Sequence, residues 1–422
     1  MEIKKLLKGI DACACGRAHV CPIEHVVVGE GAFASLPEIT KGYEHILLVA
    51  DENTYKVAGE RAVLSIARRL ENALVFPGDC VLIPNEKAIE AIEAMITEKT
   101  DLVVGVGSGV INDLCKIVSF KHGLRYDIVA TAPSMDGYAS VGSALILDGM
   151  KVTLNAAVPR SIIADTAVLA SAPIDMIRAG YGDIIGKYSC LNDWRLSACV
   201  TGEYICPTVV DATMEAVKTT VRLAEGISAR DPKAIGALME ALVAVGILMA
   251  YVGNSRPASG SEHHLSHYFE IVGIEKGEEY LAHGTDVCFS AVETARVREA
   301  ILALPSLDGF SYAFDKEKYK QEIHRIYGSV ADGVIALQEK LGWYEIDRVS
   351  VYKEKWDEIT EILKDAPTAK EMEALAMRVG LDKKVFDTLY GEEKIKDALL
   401  YAKDLKDRYS VLWLYYDLFG QK

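Results

Sequence analysis

Three of the chain's nine histidines fall within the stretch Ser259–Glu270, "SGSEHHLSHYFE": His263, His264 and His267. Residues four apart share a helix face. His263 and His267 are therefore expected to point one way, and His264 to project from a neighbouring face alongside Tyr268. Pro257 and Gly260 stop any earlier helix, and Ser259 or Ser261 can cap a new one. Imidazoles at a helix start, beside a chain reversal, suit a bound metal. The His-Glu-x-x-His protease motif is absent, so further ligands must come from elsewhere. "AGYGDIIGKYSCLNDW" puts Asp183 after two glycines and Lys187 one turn on, and "YLAHGTDV" puts His283 before Gly284. A second concentration of soft donors, Cys13, Cys15, His19 and Cys21, occupies nine residues near the start. Its Cys-x-Cys spacing is tighter than the usual finger spacing, and the plainer reading is an N-terminal arm with ordinary thiols.

A glycine turn supplies a different chemistry. "VVGVGSGVINDLCK" runs from an apolar strand into a helix, with Gly105, Gly107 and Gly109 allowing close backbone approach. Amides at the helix start, from Gly109 through Val110, Ile111 and Asn112 to Asp113, would face a pyrophosphate with the positive end of the helix dipole. The six-residue dinucleotide fingerprint is incomplete, because Val110 stands where its third glycine belongs. Taken alone, the turn fits a nucleotide site or tight packing equally. Asp51 ends an earlier strand; a carboxylate there would take ribose hydroxyls and repel a 2′-phosphate, favouring NAD over NADP.

The elements that must position these groups are legible from periodicity. "EHILLVAD", "ALVFPG", "DLVVGVG", "YDIVATAPS" and "SIIADTAVL" read as strands, alternating with helical stretches such as "NEKAIEAIEAMITEKT". That alternation means parallel βαβ units and a doubly wound sheet. "SALILDGMKVTL" reads as a hairpin turning at Asp148-Gly149. From about Pro173 the signals are helical almost throughout, and "DRYSVLWLYYDLFGQK" reads as a terminal amphipathic helix that docks. The expected architecture is an α/β domain, 1–170, followed by an all-helical domain, 171–422. Length alone favours two domains. A formal net charge of −15 argues against nucleic acid as a partner, and obliges any anionic substrate to find a local cluster of cations. No apolar run is read as a membrane span, no cleavable leader is read at the start, and nine scattered cysteines do not suggest a secreted disulfide framework. The expected location is cytoplasmic.

The order glycine turn, Asp183, His-x3-His, His283-Gly284 resembles the superfamily of glycerol dehydrogenase, group III metal-containing alcohol dehydrogenases and 3-dehydroquinate synthase. Within it, "APSMDGYAS", "IIADTAVLASAP", "GYGDIIGKYSCLNDW" and "SGSEHHLSH", with "CACGRAH" and "RYSVLWLYYDLFG" at the two ends, are similar to bacterial-type glycerol-1-phosphate dehydrogenases. The resemblance implies a Rossmann-like domain before a helical one, usually as a homodimer. It implies Asp183, His263 and His283 as ligands of zinc or nickel, with His267 near the substrate. It implies Asp136 as a substrate contact, and Asp51, Gly109 to Asp113, Thr131, Ala132, Pro133, Ser134 and Ser140 as contacts of NAD(H) or NADP(H). Four-ligand iron enzymes of the superfamily carry a His one turn after the Asp, where this chain has Lys187. A lysine ammonium does not ligate a metal at neutral pH but can hold a phosphate.

The implied reaction is metal-assisted reduction of dihydroxyacetone phosphate, with Asp183, His263, His283 and Lys187 as the catalytic set. Lys187, with His267 or Arg256, would offset the phosphate charge. Rival expectations are a glycerol dehydrogenase acting on an unphosphorylated polyol, a 3-dehydroquinate synthase-like lyase, and a non-catalytic nucleotide or metal sensor.

Overall fold

The computed structural model describes residues 2–147 and 150–420, and the chain divides into two compact units. The first is Met1–Ile184 with Asp211–Asn254; the second is Ile185–Val210 with Ser255–Lys422. The boundary expected at 170/171 falls inside the first unit, which also takes back a later segment of the chain.

The first unit is built on a six-stranded parallel sheet of β1 (His25–Gly29), β2 (Ile46–Asp51), β3 (Leu70–Phe76), β4 (Leu102–Gly107), β5 (Arg125–Ala130) and β8 (Ser161–Asp165), in the order β1-β8-β5-β4-β2-β3. Every residue of β4 and β8 is buried. Helices cover both faces of such a sheet, so its strands read as continuous apolar runs rather than alternating ones. The chain passes from β2 outward to β3, then returns to place β4 on the other side of β2. This reversal makes a switch point at the carboxyl ends of β2 and β4, where open α/β sheets bind ligands.

Two further strands, β6 (Gly142–Leu147) and β7 (Met150–Asn155), form the antiparallel hairpin expected there. Its turn residues, Asp148 and Gly149, lie outside the described residues. The strand expected at "ALVFPG" starts earlier, at Leu70, because the preceding helix ends at Ile66.

The glycine turn leads into α1 (Gly109–Lys121), and the first long helix after the sheet is α2 (Ile174–Ile185). In the second unit α3 (Lys187–Thr201) follows Gly186. The first unit then reclaims α4 (Pro232–Val252), whose mean hydropathy over an 18-residue window is 2.1. Length and composition would let α4 cross a membrane, contrary to the sequence expectation, but 78% of that window is buried inside the protein. Its glycines explain how: a Cβ at Gly236 would lie 2.9 Å from Thr166 Cγ2, and one at Gly246 2.7 Å from Ala139 Cβ.

The second unit continues with α5 (Ser261–Lys276) and α6 (His283–Leu302). The helix expected from "EEYLAHG" begins only at His283, since Glu278–Ala282 are not helical. The terminal segment docks as expected: Val411–Leu414 and Tyr416–Leu418 are buried. Beneath it Lys403 pairs with Asp404 at 2.8 Å, and the ammonium lies 3.8 Å from the Tyr416 ring centroid and 4.7 Å from that of Trp413.

Candidate active site

Three candidate cofactor stretches follow the carboxyl ends of adjacent strands in the first unit: Asp51 ends β2, Gly109 follows β4 and Thr131 follows β5. The Ser108 side chain does not cap α1, which leaves the amides of Gly109, Val110 and Ile111 without the usual side-chain acceptor. Gly107 is required here, because a Cβ on it would lie 2.6 Å from Ile111. Asn112 and Asp113 do a different job from their neighbours. Asp113 Oδ2 accepts from the Ala144 amide at 3.2 Å, and Oδ1 lies 3.4 Å from the buried Lys116 ammonium. Lys116 also donates to the carbonyls of Gly137 and Gly142 at 2.9 and 2.7 Å. Burial raises the Asp113 carboxyl and lowers the Lys116 ammonium from their ordinary values. These side chains brace α1 against the segment from Gly137 to Ala144.

Asp51 is an N-cap. Its Oδ1 accepts from the amides of Asn53 and Thr54, both at 2.9 Å, and Thr54 completes the box by accepting from the Asp51 amide. The cap occupies one carboxylate oxygen and fixes the side chain at the switch point.

The loop from Thr131 to Ser140 is held on several sides. Thr131 donates its amide to Gly107 O at 3.1 Å, and the Tyr138 hydroxyl donates to Ala132 O at 2.7 Å. Ser140 Oγ donates to Gly137 O at 3.1 Å. A Cβ on Gly180 of α2 would lie 1.8 Å from Pro133 O, so only glycine lets α2 come this close. One turn later the fully buried Asp183 accepts from the Asp136 amide at 2.9 Å through Oδ2. Pro133, Asp136 and Asp183 are thus tied through α2. Ser134 is only partly buried.

In the second unit three imidazoles converge. The His263 and His283 ring centroids are 5.1 Å apart, and His267 lies 6.3 Å from His263 and 5.8 Å from His283. His263 Nδ1 faces Glu262 Oε1 at 2.7 Å, and His283 Nδ1 lies 3.5 Å from Ser266 Oγ. With Nδ1 so engaged, Nε2 is the atom each ring would offer a metal, and on His263 the orienting partner is a carboxylate. Glu262 is itself gripped: its Oε1 accepts from the Gly260 amide at 2.8 Å. Burial raises its carboxyl, while the Gly260 amide and the Lys187 charge oppose that rise. His264 points elsewhere, as expected. Burial, with the charges of Lys406, Arg408 and Arg256, holds it well below the ordinary imidazole range.

Neither serine caps α5. The cap residue is Gly260, and two carboxylates that sequence reasoning did not single out, Glu262 and Asp193, take its first amides; Ser261 donates to Asp193 Oδ2 at 2.7 Å. A Cβ on Gly260 would lie 2.6 Å from both Cys190 Cα and Asp193 Oδ2. The glycine therefore serves the close approach of α5 to α3. Asp193 also accepts from the Val411 amide at 2.7 Å, tying the histidine helix to the docked terminal segment. No local motif announces Asp193, because its partners are distant in sequence.

Lys187 opens α3 and is fully buried. Arg256 is a poor phosphate ligand as it stands. Its Nε donates to Glu203 Oε1 at 2.8 Å, Nη2 pairs with the second Glu203 oxygen, and Nη1 donates to Tyr409 O at 2.9 Å. That engagement removes Arg256 from the expected phosphate set.

Residues 27–173 match the family model described as iron-containing alcohol dehydrogenase. Along the wider chain, a glycerol-1-phosphate dehydrogenase, NAD(P)+, of Halalkalibacterium halodurans is 35% identical over 69% of this chain and 74% of its own length. The chain belongs to the glycerol-1-phosphate dehydrogenase family. A family member from Bacillus licheniformis is 29% identical over 97% of this chain and 93% of its own. Among solved structures, sulfoacetaldehyde reductase from Bifidobacterium kashiwanohense in complex with NAD+ superposes with a TM-score of 0.61 at 14% identity, over 96% of this chain and 99% of that one. At that identity the likeness speaks for the fold alone. It agrees with the parallel sheet and helical region seen here.

Proposed function

We propose that this chain reduces dihydroxyacetone phosphate to sn-glycerol 1-phosphate with NADH or NADPH, at a site holding one zinc or nickel ion on Asp183, His263 and His283. The observation that carries the reading is the pair His263 and His283, with Glu262 on His263 Nδ1. Two imidazoles and a carboxylate suit either metal, and the donor set matches a three-ligand catalytic site that keeps a position open. A bound divalent ion would supply Lewis acidity at the carbonyl oxygen of the substrate.

The chain's own residues do the rest. Amides at the start of α1 receive the cofactor pyrophosphate, and Asp51 meets the adenosine ribose. Thr131, Ala132, Pro133, Ser134 and Ser140 line the cofactor, and Asp136 contacts the substrate. Glu262 fixes the His263 tautomer. His283 sits in the first turn of α6. Lys187 and His267 offset the phosphate charge in an acidic protein. The assembly we assign, from the resemblance, is a homodimer, and light scattering reads it directly.

The test follows NADH oxidation by purified protein with dihydroxyacetone phosphate, then with dihydroxyacetone. Faster turnover of the phosphorylated ketone is expected. Equal or better turnover of dihydroxyacetone would move the chain to the unphosphorylated polyol reading.

A further inference from the structure

The N-terminal donors that the proposed reaction does not use are gathered by the fold into a second cluster. An antiparallel bridge closes the loop: the Ile10 amide donates to His19 O, and the His19 amide to Ile10 O, both at 2.8 Å. Within it the Gly16 amide donates to Cys13 O at 2.9 Å, and Gly16 takes φ +83°, a left-handed turn that brings the chain back after Cys15. At the loop's base Gly9 takes φ +73°, and a Cβ there would lie 2.5 Å from His19 O. One donor atom from each of Cys13, Cys15 and His19 lies within 4.8 Å of the others, and Cys15 Sγ is 3.3 Å from His19 Nε2.

The imidazole is oriented as a ligand would be. His19 Nδ1 donates to Tyr251 O at 2.9 Å, and the ring stacks on Tyr251 at 5.3 Å between centroids. A backbone carbonyl on Nδ1 selects the tautomer whose Nε2 faces the sulfurs. His19 is only 2% exposed and Cys13 is also buried, so these are not thiols on a solvated arm. Cys21, grouped with them by sequence, lies outside the cluster.

We propose that Cys13, Cys15 and His19 hold a zinc ion, separate from the proposed catalytic one. Two sulfurs and one imidazole supply three of the four donors of a tetrahedral zinc site. Zinc binding displaces the thiol protons to solvent, and no redox step is involved. The ion fastens the N-terminal arm, which has little regular structure of its own, to helix α4 through His19 and Tyr251.

The test is metal content per chain in full-length protein expressed with added zinc. Wild-type protein is expected to carry two ions, the Cys15→Ser and Cys13→Ser variants one, and His283→Ala also one. The ion kept by His283→Ala should leave on thiol modification with an organomercurial, and that kept by Cys15→Ser should not. Cobalt substitution of wild-type protein needs no variant and should give sulfur-to-cobalt charge-transfer absorption in the near ultraviolet. A single ion in wild-type protein that persists in both cysteine variants, or cobalt protein without charge-transfer absorption, would overturn the proposal. Activity plays no part in these readings, so failure here leaves the proposed reaction standing.

Discussion

Glu262 shows what single residues contribute. It is buried, holds the Gly260 amide and orients His263. Removing a carboxylate behind a metal-ligating histidine typically costs 10- to 100-fold in affinity. Glu262→Gln is therefore expected to weaken metal binding by about that factor, measured by competition with a chromophoric chelator. Unchanged affinity would detach Glu262 from the site. Lys187→Ala should lose a charge-assisted hydrogen bond to substrate phosphate, about 1.5–3 kcal/mol, so kcat/KM for dihydroxyacetone phosphate should fall roughly 10- to 100-fold. A much smaller loss is expected with dihydroxyacetone. Equal losses would instead assign Lys187 to Glu262, whose charge it faces. The orientation of the histidines was legible from their spacing, because helix periodicity alone separates His264 from His263. Glu262 was hidden in plain view: a carboxylate beside a histidine has no fixed spacing that marks it as an orienting group. Arg256 was misjudged because nothing local reveals that Glu203 and the Tyr409 carbonyl, both far off in sequence, claim its donors.

At the scale of elements, the sheet was readable because strands buried on both faces are continuous apolar runs. The limits of helices were less so. Gly180 and Gly260 look like helix breakers, yet each is there because another backbone passes where a Cβ would be. Gly180→Ala must push α2 off Pro133, and overpacking of this kind costs about 1–3 kcal/mol. Since α2 also carries Asp183, the variant should lose both thermal stability and kcat; full activity with unchanged unfolding would show that α2 does not position the site. Asp51 offers a cleaner separation. Asp51→Ser keeps a good N-cap residue while removing the charge, so stability should change little and any preference for NADH over NADPH should narrow. An unchanged ratio of kcat/KM for the two cofactors would mean that Asp51 does not meet the ribose.

For the whole molecule, the class of fold followed from alternating strands and helices, but the division of the chain did not. Helix α4 reads as part of the helical half, yet Gly236 and Gly246 seat it against Thr166 and Ala139 of the sheet unit. Chain order carries no signal for such a return. Its apolar length, enough by composition for a membrane span, is spent on burial within the protein. The cysteine cluster was legible only in part, because nothing in the spacing of Cys13, Cys15 and His19 reveals the distant Tyr251 carbonyl that orients the imidazole. The central claim remains metal-assisted reduction of a phosphorylated ketone on Asp183, His263 and His283. It is tested most directly by following NADH oxidation with dihydroxyacetone phosphate in chelator-stripped protein before and after adding nickel or zinc, in wild type and His283→Ala. The account predicts that stripping abolishes turnover, that metal restores it in wild type, and that His283→Ala stays inactive while remaining folded by circular dichroism. Undiminished turnover by stripped protein, or full turnover by folded His283→Ala, would contradict it.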